Sequence, residues 1–165
     1  MGNKELFFME KALAMAELAY KANEVPVGAV VVLDNQIIGS GYNSVIKDSD
    51  PTAHAEIIAL REAGRQIGNY RVLETDIYIT LEPCLMCYAA MVHARVRNLF
   101  YGAPDFKGGI FSTGTFAEIK RKSIFNHTIT VKSGIIGEAS SKLLQDFFQE
   151  RRGAGAVERG GLENR

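Results

Sequence analysis

His54-Ala55-Glu56, followed further along the chain by Pro83-Cys84-Leu85-Met86-Cys87, is the stretch on which the reading of this sequence turns. A catalytic zinc keeps three protein ligands and leaves its fourth tetrahedral position open to water. His54, Cys84 and Cys87 make three such ligands, and Glu56 remains outside the set as a carboxylate able to carry protons. Cys84 and Cys87 are three residues apart, so on a helix both sulfurs lie on one face and can grip one ion. Pro83 suits a first helical turn, having no N–H to leave unpaired. Asp50-Pro51 has the same form upstream of His54, with Asp50 as cap and Pro51 as the first helical residue. Both ligand sets are therefore expected in the first turns of two helices, where exposed N–H groups and the positive dipole end favour thiolate and hydroxide.

Charge makes the carboxylate more necessary. Two thiolates and a neutral imidazole cancel the charge of Zn2+, so this centre acidifies a water less than an all-histidine site, where the pKa reaches roughly 7. Glu56 is the base at hand. Two other readings compete. A redox C-x-x-C pair would leave His54 and Glu56 without a role, and the turn holds Leu85-Met86. A structural zinc needs a fourth protein ligand; the chain has 2 cysteines, so only His93 or His127 could complete it.

At 165 residues and 47% hydrophobic, the chain suits one domain with a real core, placed at residues 1–152. From residue 153 onward it is Gly-rich and polar, and a disordered tail is expected over 153–165. No apolar run is long enough to span a membrane. The stretch 6–20 is interrupted by Glu10, Lys11 and Glu17, which does not suit a signal-peptide core. With both cysteines assigned to metal, a reducing, cytoplasmic setting fits. The 19 basic and 19 acidic residues cancel, so a nucleic-acid partner would have to be met by local basic patches.

Leu6, Met9, Leu13, Ala16 and Tyr20 recur at helical spacing and predict an amphipathic first helix. Residues 27–33 form a β-branched run, and 36–42 follow after Asp34-Asn35, which reads as a hairpin. Further elements are a helix over 52–63 carrying His54, a buried strand over 77–80, and a helix over 84–93. A strand over 98–101 leads into a Gly-rich loop over 102–109; a strand over 129–132 and a closing helix over 138–152 complete the series. Helices alternate with strands after the hairpin, so the expected fold is a three-layer α/β/α arrangement with a mixed sheet between helices.

The H-x-E…P-C-x-x-C pattern is the signature of zinc nucleobase deaminases. Well beyond it, the chain resembles the bacterial tRNA-specific adenosine deaminases of the cytidine deaminase-like superfamily. The resemblance rests on Glu24-Val25-Pro26-Val27-Gly28-Ala29-Val30, Asp50-Pro51-Thr52-Ala53-His54-Ala55-Glu56-Ile57, Asn69-Tyr70-Arg71, Thr80-Leu81-Glu82-Pro83-Cys84 and Gly102-Ala103-Pro104-Asp105. It continues in Asn126-His127 and Asp146-Phe147-Phe148 with Arg151-Arg152, covering most of residues 4–152. Residues 109–125 match poorly, and the tail is less basic than in that family.

The resemblance implies a cytidine deaminase-like fold with five strands, one Zn2+ per chain, and a homodimer whose subunits together shape an RNA groove. The implied partner is a tRNA anticodon stem-loop, and the reaction is hydrolytic deamination of its wobble adenosine to inosine. Glu56 would move protons from the attacking water to the purine N1 and then to the leaving amine. Asn43 matches a position that orients the flipped nucleotide, against the plainer reading of a turn residue after a strand. Asp105 matches a position near the ribose, against a turn aspartate. Val25 and Pro26 are placed at the base pocket, although Val25 also suits a core. Phe148 offers an aromatic face to a neighbouring base, with Phe147 read as a buried helix residue. Lys107, Lys120-Arg121-Lys122 and Arg151-Arg152 are candidates for phosphate contacts, although charge runs often only face solvent. The nearest competing function is a free-base or nucleoside deaminase acting on guanine or cytosine with the same centre. A catalytically silent RNA-binding zinc protein is the other, and it would have no use for Glu56.

Overall fold

Asp34 and Asn35 both take positive φ, 49° and 63°, the paired left-handed turn whose twist matches two antiparallel strands. The chain accordingly folds back as a hairpin of β1 (Gly28–Leu33) and β2 (Gln36–Tyr42). A computed structural model describes residues 2–153, in which this hairpin follows α1 (Asn3–Lys21). After it come α2 (Ala55–Ile67), β3 (Asp76–Leu81), α3 (Leu85–Ala94) and β4 (Asn98–Ala103). The described chain ends with α4 (Thr115–Arg121), β5 (Thr130–Lys132) and α5 (Gly137–Gly153).

The five strands form one mixed sheet in the order β2-β1-β3-β4-β5. β1 is antiparallel to both β2 and β3, while β3, β4 and β5 run parallel. Both faces are covered, which is why β1 and β3 read as continuous apolar runs rather than alternating ones. Ala29, Val31, Ile77 and Ile79 belong to one core cluster with Ala55, Ala59 and Ala63 of α2 and Cys87 and Met91 of α3. Val30, Val32 and Tyr78 point the other way, into a second cluster with Phe8, Met9 and Ala12 of α1. Ser140 of α5 lies over Gly102 on that second face. The expected three-layer fold is therefore present.

Small residues set how close the helices come. A Cβ on Gly41 of β2 would stand 2.5 Å from the Ala55 carbonyl oxygen and 2.8 Å from the Ala59 nitrogen of α2. α2 answers with Ala55, Ala59 and Ala63, all fully buried. The helix that carries the site is thus laid directly on the hairpin.

Some local expectations are corrected. The buried face of α1 is Phe8, Met9, Ala12, Ala16 and Ala19, and Leu6 is exposed. The helix is turned from the expected stripe because close approach to Gly28, where a Cβ would meet Met15 Cβ at 2.8 Å, favours alanines over leucines. Asp50 and Pro51 do not open a helix. The Asp50 carboxylate accepts hydrogen bonds from Thr52 N (2.8 Å) and Thr52 Oγ1 (2.7 Å) in a turn, and α2 starts only at Ala55. α4 has seven residues, too few for a helical period to register, and was not expected. Gly102 and Ala103 belong to β4 rather than to the loop. Except for Gly153, which closes α5, the expected disordered tail lies outside the described residues. Among the described residues no helix is long and apolar enough to cross a membrane.

Gly41→Ala should overpack the β2–α2 contact. Overpacking of this kind costs about 1–3 kcal/mol, so thermal unfolding should show a midpoint lowered by several degrees.

Candidate active site

The metal-binding side chains stand at two helix N-termini, each earlier in its helix than expected. His54 is the N-cap of α2 (φ −75°, ψ 152°) and Cys84 the N-cap of α3 (φ −77°, ψ 172°). Pro83 accordingly precedes the cap instead of sitting in the first turn. Neither His54 nor Cys84 caps its own helix with its side chain. For α2, Asn43 takes over: its Oδ1 accepts a hydrogen bond from Ala55 N at 3.0 Å. The extended backbone of an N-cap residue lets its side chain leave the helix axis, here toward the other ligands. Cys87 follows in the first turn of α3 and is fully buried.

His54 Nδ1 lies 3.4 Å from Cys87 Sγ and 3.7 Å from Cys84 Sγ, and the three donor atoms lie within 4.8 Å of one another. A tetrahedral zinc with bonds of about 2.3 Å to sulfur and about 2.0 Å to nitrogen sets such donors about 3.5 Å apart. The donor set and its spacing therefore fit zinc. Among the described residues the cluster contains these three and no fourth. His93 is exposed on α3, and His127 Nε2 lies 2.7 Å from the Val96 carbonyl oxygen, so neither completes a four-ligand structural site. The Cys84 thiol is pushed down to about 3, first by hydrogen bonding with Cys87 and further by His54, against the opposing effect of burial. Cys84 is thus poised as the thiolate that a metal binds.

Glu56 sits in the first turn of α2, fully buried, with Oε2 3.4 Å from Cys87 Sγ. The four residues that the pattern singled out converge on one point, with Asn43 bracing the helix that supplies two of them. The other expected contacts are more scattered. Val25 is buried in the larger core cluster, at the exit of the loop before β1. Asp105 Oδ1 accepts hydrogen bonds from Lys107 N and Gly108 N, both at 3.1 Å, so the aspartate does build a turn. Phe147 is buried, as expected, and Phe148 is half-buried, edge-on to it with ring centroids 5.4 Å apart. Arg151 lies 4.7 Å from the centre of the Phe147 ring and donates to Asn23 Oδ1, an intramolecular engagement that charge counting does not reveal. Lys107, Lys120, Lys122 and Arg152 are exposed, and Arg121 pairs with Glu118 at 3.0 Å.

Two buried glutamates had not been singled out. Glu24 accepts from Ile46 N (3.0 Å) and Lys47 N (2.8 Å), holding the loop that leads from Asn43 toward His54. Glu82 accepts from Asp105 N, Phe111 N and Ser112 N. Both stand beside apolar runs, in Glu24-Val25-Pro26-Val27 and Thr80-Leu81-Glu82-Pro83, and an acid in such a setting signals a carboxylate taken out of water for hydrogen bonding.

Residues 3–103 match the family described as the cytidine and deoxycytidylate deaminase zinc-binding region. The sequence is 46% identical over 158 residues to the tRNA-specific adenosine deaminase of Haemophilus influenzae, a match covering 94% of this chain and 90% of that protein. The chain belongs to this deaminase family, among the tRNA-specific adenosine deaminases. Its zinc-binding region includes the triad His54, Cys84 and Cys87. The tRNA-specific adenosine deaminase of Agrobacterium fabrum is 43% identical, with 88% of this chain and 94% of that protein covered. A structure from a study of A-to-I editing by tRNA:A34 deaminases at the wobble position superposes with a TM-score of 0.79 at 42% identity, covering 84% of this chain and 99% of that one. A guanine deaminase from Nitrosomonas europaea shares the fold, with a TM-score of 0.73 at 22% identity over 86% of this chain and 83% of that one.

Replacing Cys84 or Cys87 with Ala should abolish stoichiometric zinc. Metal analysis of the purified variants checks this, and a retained full equivalent of zinc in either would refute the three-ligand site.

Proposed function

We propose that this protein deaminates adenosine to inosine at the wobble position of a tRNA anticodon, by zinc-dependent hydrolysis. The observation that carries the reading is the three-ligand centre with buried Glu56 beside it, in a chain 46% identical to a tRNA-specific adenosine deaminase. Zinc held by His54, Cys84 and Cys87 would supply an acidified water as nucleophile for the purine C6. Glu56 collects the proton that this water loses and passes it to N1, which makes C6 more electrophilic. The same carboxylate then takes the proton of the new C6 hydroxyl and passes it to the exocyclic amine, so that the C–N bond breaks, ammonia leaves and C6 becomes the carbonyl of inosine. The 3.4 Å approach of Glu56 to Cys87 Sγ supports this role, because it sets the carboxylate at the edge of the ligand cluster without making it a ligand.

Asn43 holds the start of α2 through Ala55 N, and its amide is assigned a second task in orienting the flipped nucleotide. Val25 forms the apolar floor under the base, Asp105 meets the ribose side, and the half-buried ring of Phe148 stacks on a neighbouring base. The substrate is an anticodon stem-loop, since an unpaired loop lets one base be splayed into a pocket that a duplex would keep closed. With formal net charge at zero, the RNA is met by a local basic groove including Arg152 and Lys107, completed by a second subunit in a homodimer.

Glu56→Ala should retain zinc and fold while losing about two to four orders of magnitude in turnover, the usual worth of a placed proton-transfer group. Activity within a few-fold of wild type would remove Glu56 from the mechanism. Inosine should form in a stem-loop carrying the wobble adenosine and not in one with that base changed. Turnover of free guanine or cytosine without turnover of the stem-loop would instead identify a free-base deaminase. Neutralising Lys107 and Arg152 together should raise KM for the stem-loop and flatten its salt dependence.

A further inference from the structure

Glu82 directly follows the buried strand β3 and precedes Cys84 by two residues, with no exposed surface. A carboxylate offers about four acceptor sites, and here they are met by one segment of chain. Asp105 N donates to Oε1 at 3.3 Å, Phe111 N and Ser112 N donate to Oε2 at 3.0 Å each, and the Ser112 hydroxyl donates to Oε1. The main chain reinforces the clasp on both sides: Glu82 N donates to the Ala103 carbonyl at 2.8 Å, and Ile110 N to the Pro83 carbonyl at 3.0 Å.

The loop is shaped to admit this carboxylate. A Cβ on Gly109 would fall inside van der Waals contact of Glu82 Oε2 and 2.6 Å from the Asp105 carbonyl oxygen. Gly109 N closes the turn onto that same carbonyl at 2.9 Å. Asp105 folds its side chain back onto Lys107 N and Gly108 N. The outcome is a loop fixed from within, and it leaves Phe106 79% exposed with Lys107 also in solvent. An aromatic face beside a cation, held on a rigid turn, is the pairing that single-stranded nucleic acid binds.

We propose that Glu82 is a positioning residue for the substrate: its carboxylate holds residues 105–112 as a preformed wall of the RNA groove against the strand end that leads into Cys84. The inference rests on the tRNA reading of the site. The hydrogen bonds of Glu82 run to Ala103, Asp105, Phe111 and Ser112 and not to the ligand atoms of the triad. Glu82 acts through the loop, so its removal changes substrate capture more than chemistry.

Glu82→Gln keeps size and turns one acceptor into a donor facing N–H groups, while Gly109→Ala displaces the carboxylate from the other side. Both variants are measured for zinc content, amide hydrogen exchange over 105–112, and kcat and KM on the anticodon stem-loop. Each should hold one zinc per chain, exchange faster in the loop, and raise KM about tenfold or more, the scale of a lost charge-assisted hydrogen bond. kcat should fall less than KM rises. The double variant should add little to either single one, because both break the same clasp. Ser112→Ala, which removes one donor only, should raise KM in the same direction and serves if the other two do not fold. KM unchanged in variants whose loop exchange has accelerated, or in Ser112→Ala, would overturn the inference. Loss of zinc and kcat with KM unchanged would overturn it equally, moving Glu82 into the metal site. A wild-type protein that leaves the stem-loop unmodified would defeat the substrate reading itself, and this inference with it. A wild type that is active beside unaffected variants would defeat the inference alone.

Discussion

The site depends on the contact between α2 and the hairpin. Gly41 gives up its side chain so that the Ala55 and Ala59 backbone can rest on β2, and the alanine face of α2 completes the fit. This contact fixes where α2 begins, and hence where His54 and Glu56 stand relative to the end of β3 and the start of α3. The ligand atoms must match bond lengths to within a few tenths of an ångström, a tolerance that loosely packed helices could not supply. Interiors packed at crystal-like density transmit position over such distances because no slack is available.

Helix N-termini then do chemistry as well as architecture. Placing His54 and Cys84 at the N-cap positions leaves the positive ends of α2 and α3 directed at the ligand cluster. Two thiolates brought close together repel one another, and the helix ends, His54 and the metal oppose that repulsion. The cost is that neither ligand can serve its own helix as a cap. Asn43 meets this need for α2 from the end of the hairpin, across twelve residues of chain.

Three glutamates are buried around this region, and their surroundings separate their roles. Glu24 and Glu82 accept backbone N–H groups from the loops on either side of the centre, so each carboxylate is committed to holding chain in place. Glu56 faces a ligand sulfur instead. One residue type therefore clamps the chain in two places and, in the proposed mechanism, carries protons in the third, according to what it faces. The loop that Glu82 holds carries Asp105 and Lys107, proposed for the RNA, and the loop that Glu24 holds leads from Asn43 to the ligand His54.

The chemistry of the centre was legible in the residues, because few donor sets suit an open zinc and this chain offers one: two cysteines, a histidine and a nearby glutamate. The hairpin was legible too, since Asp34-Asn35 is local turn chemistry and the apolar run of β1 announces a strand covered on both faces. Three things were decided only when the chain closed on itself. The buried face of α1 followed from the close approach of Ala12 and Ala16 to Gly28, a contact that hydropathy alone does not rank above leucines. His54 became the cap position of α2 because Asp50 spends its carboxylate on Thr52, which leaves Asn43 to brace α2 from another element. Glu82 became a clasp through partners 23 to 30 residues away. Periodicity and turn chemistry act over a few residues and can be read directly. Burial of a carboxylate becomes tolerable only through donors that a distant segment brings, and the folded structure alone determines which segment that is.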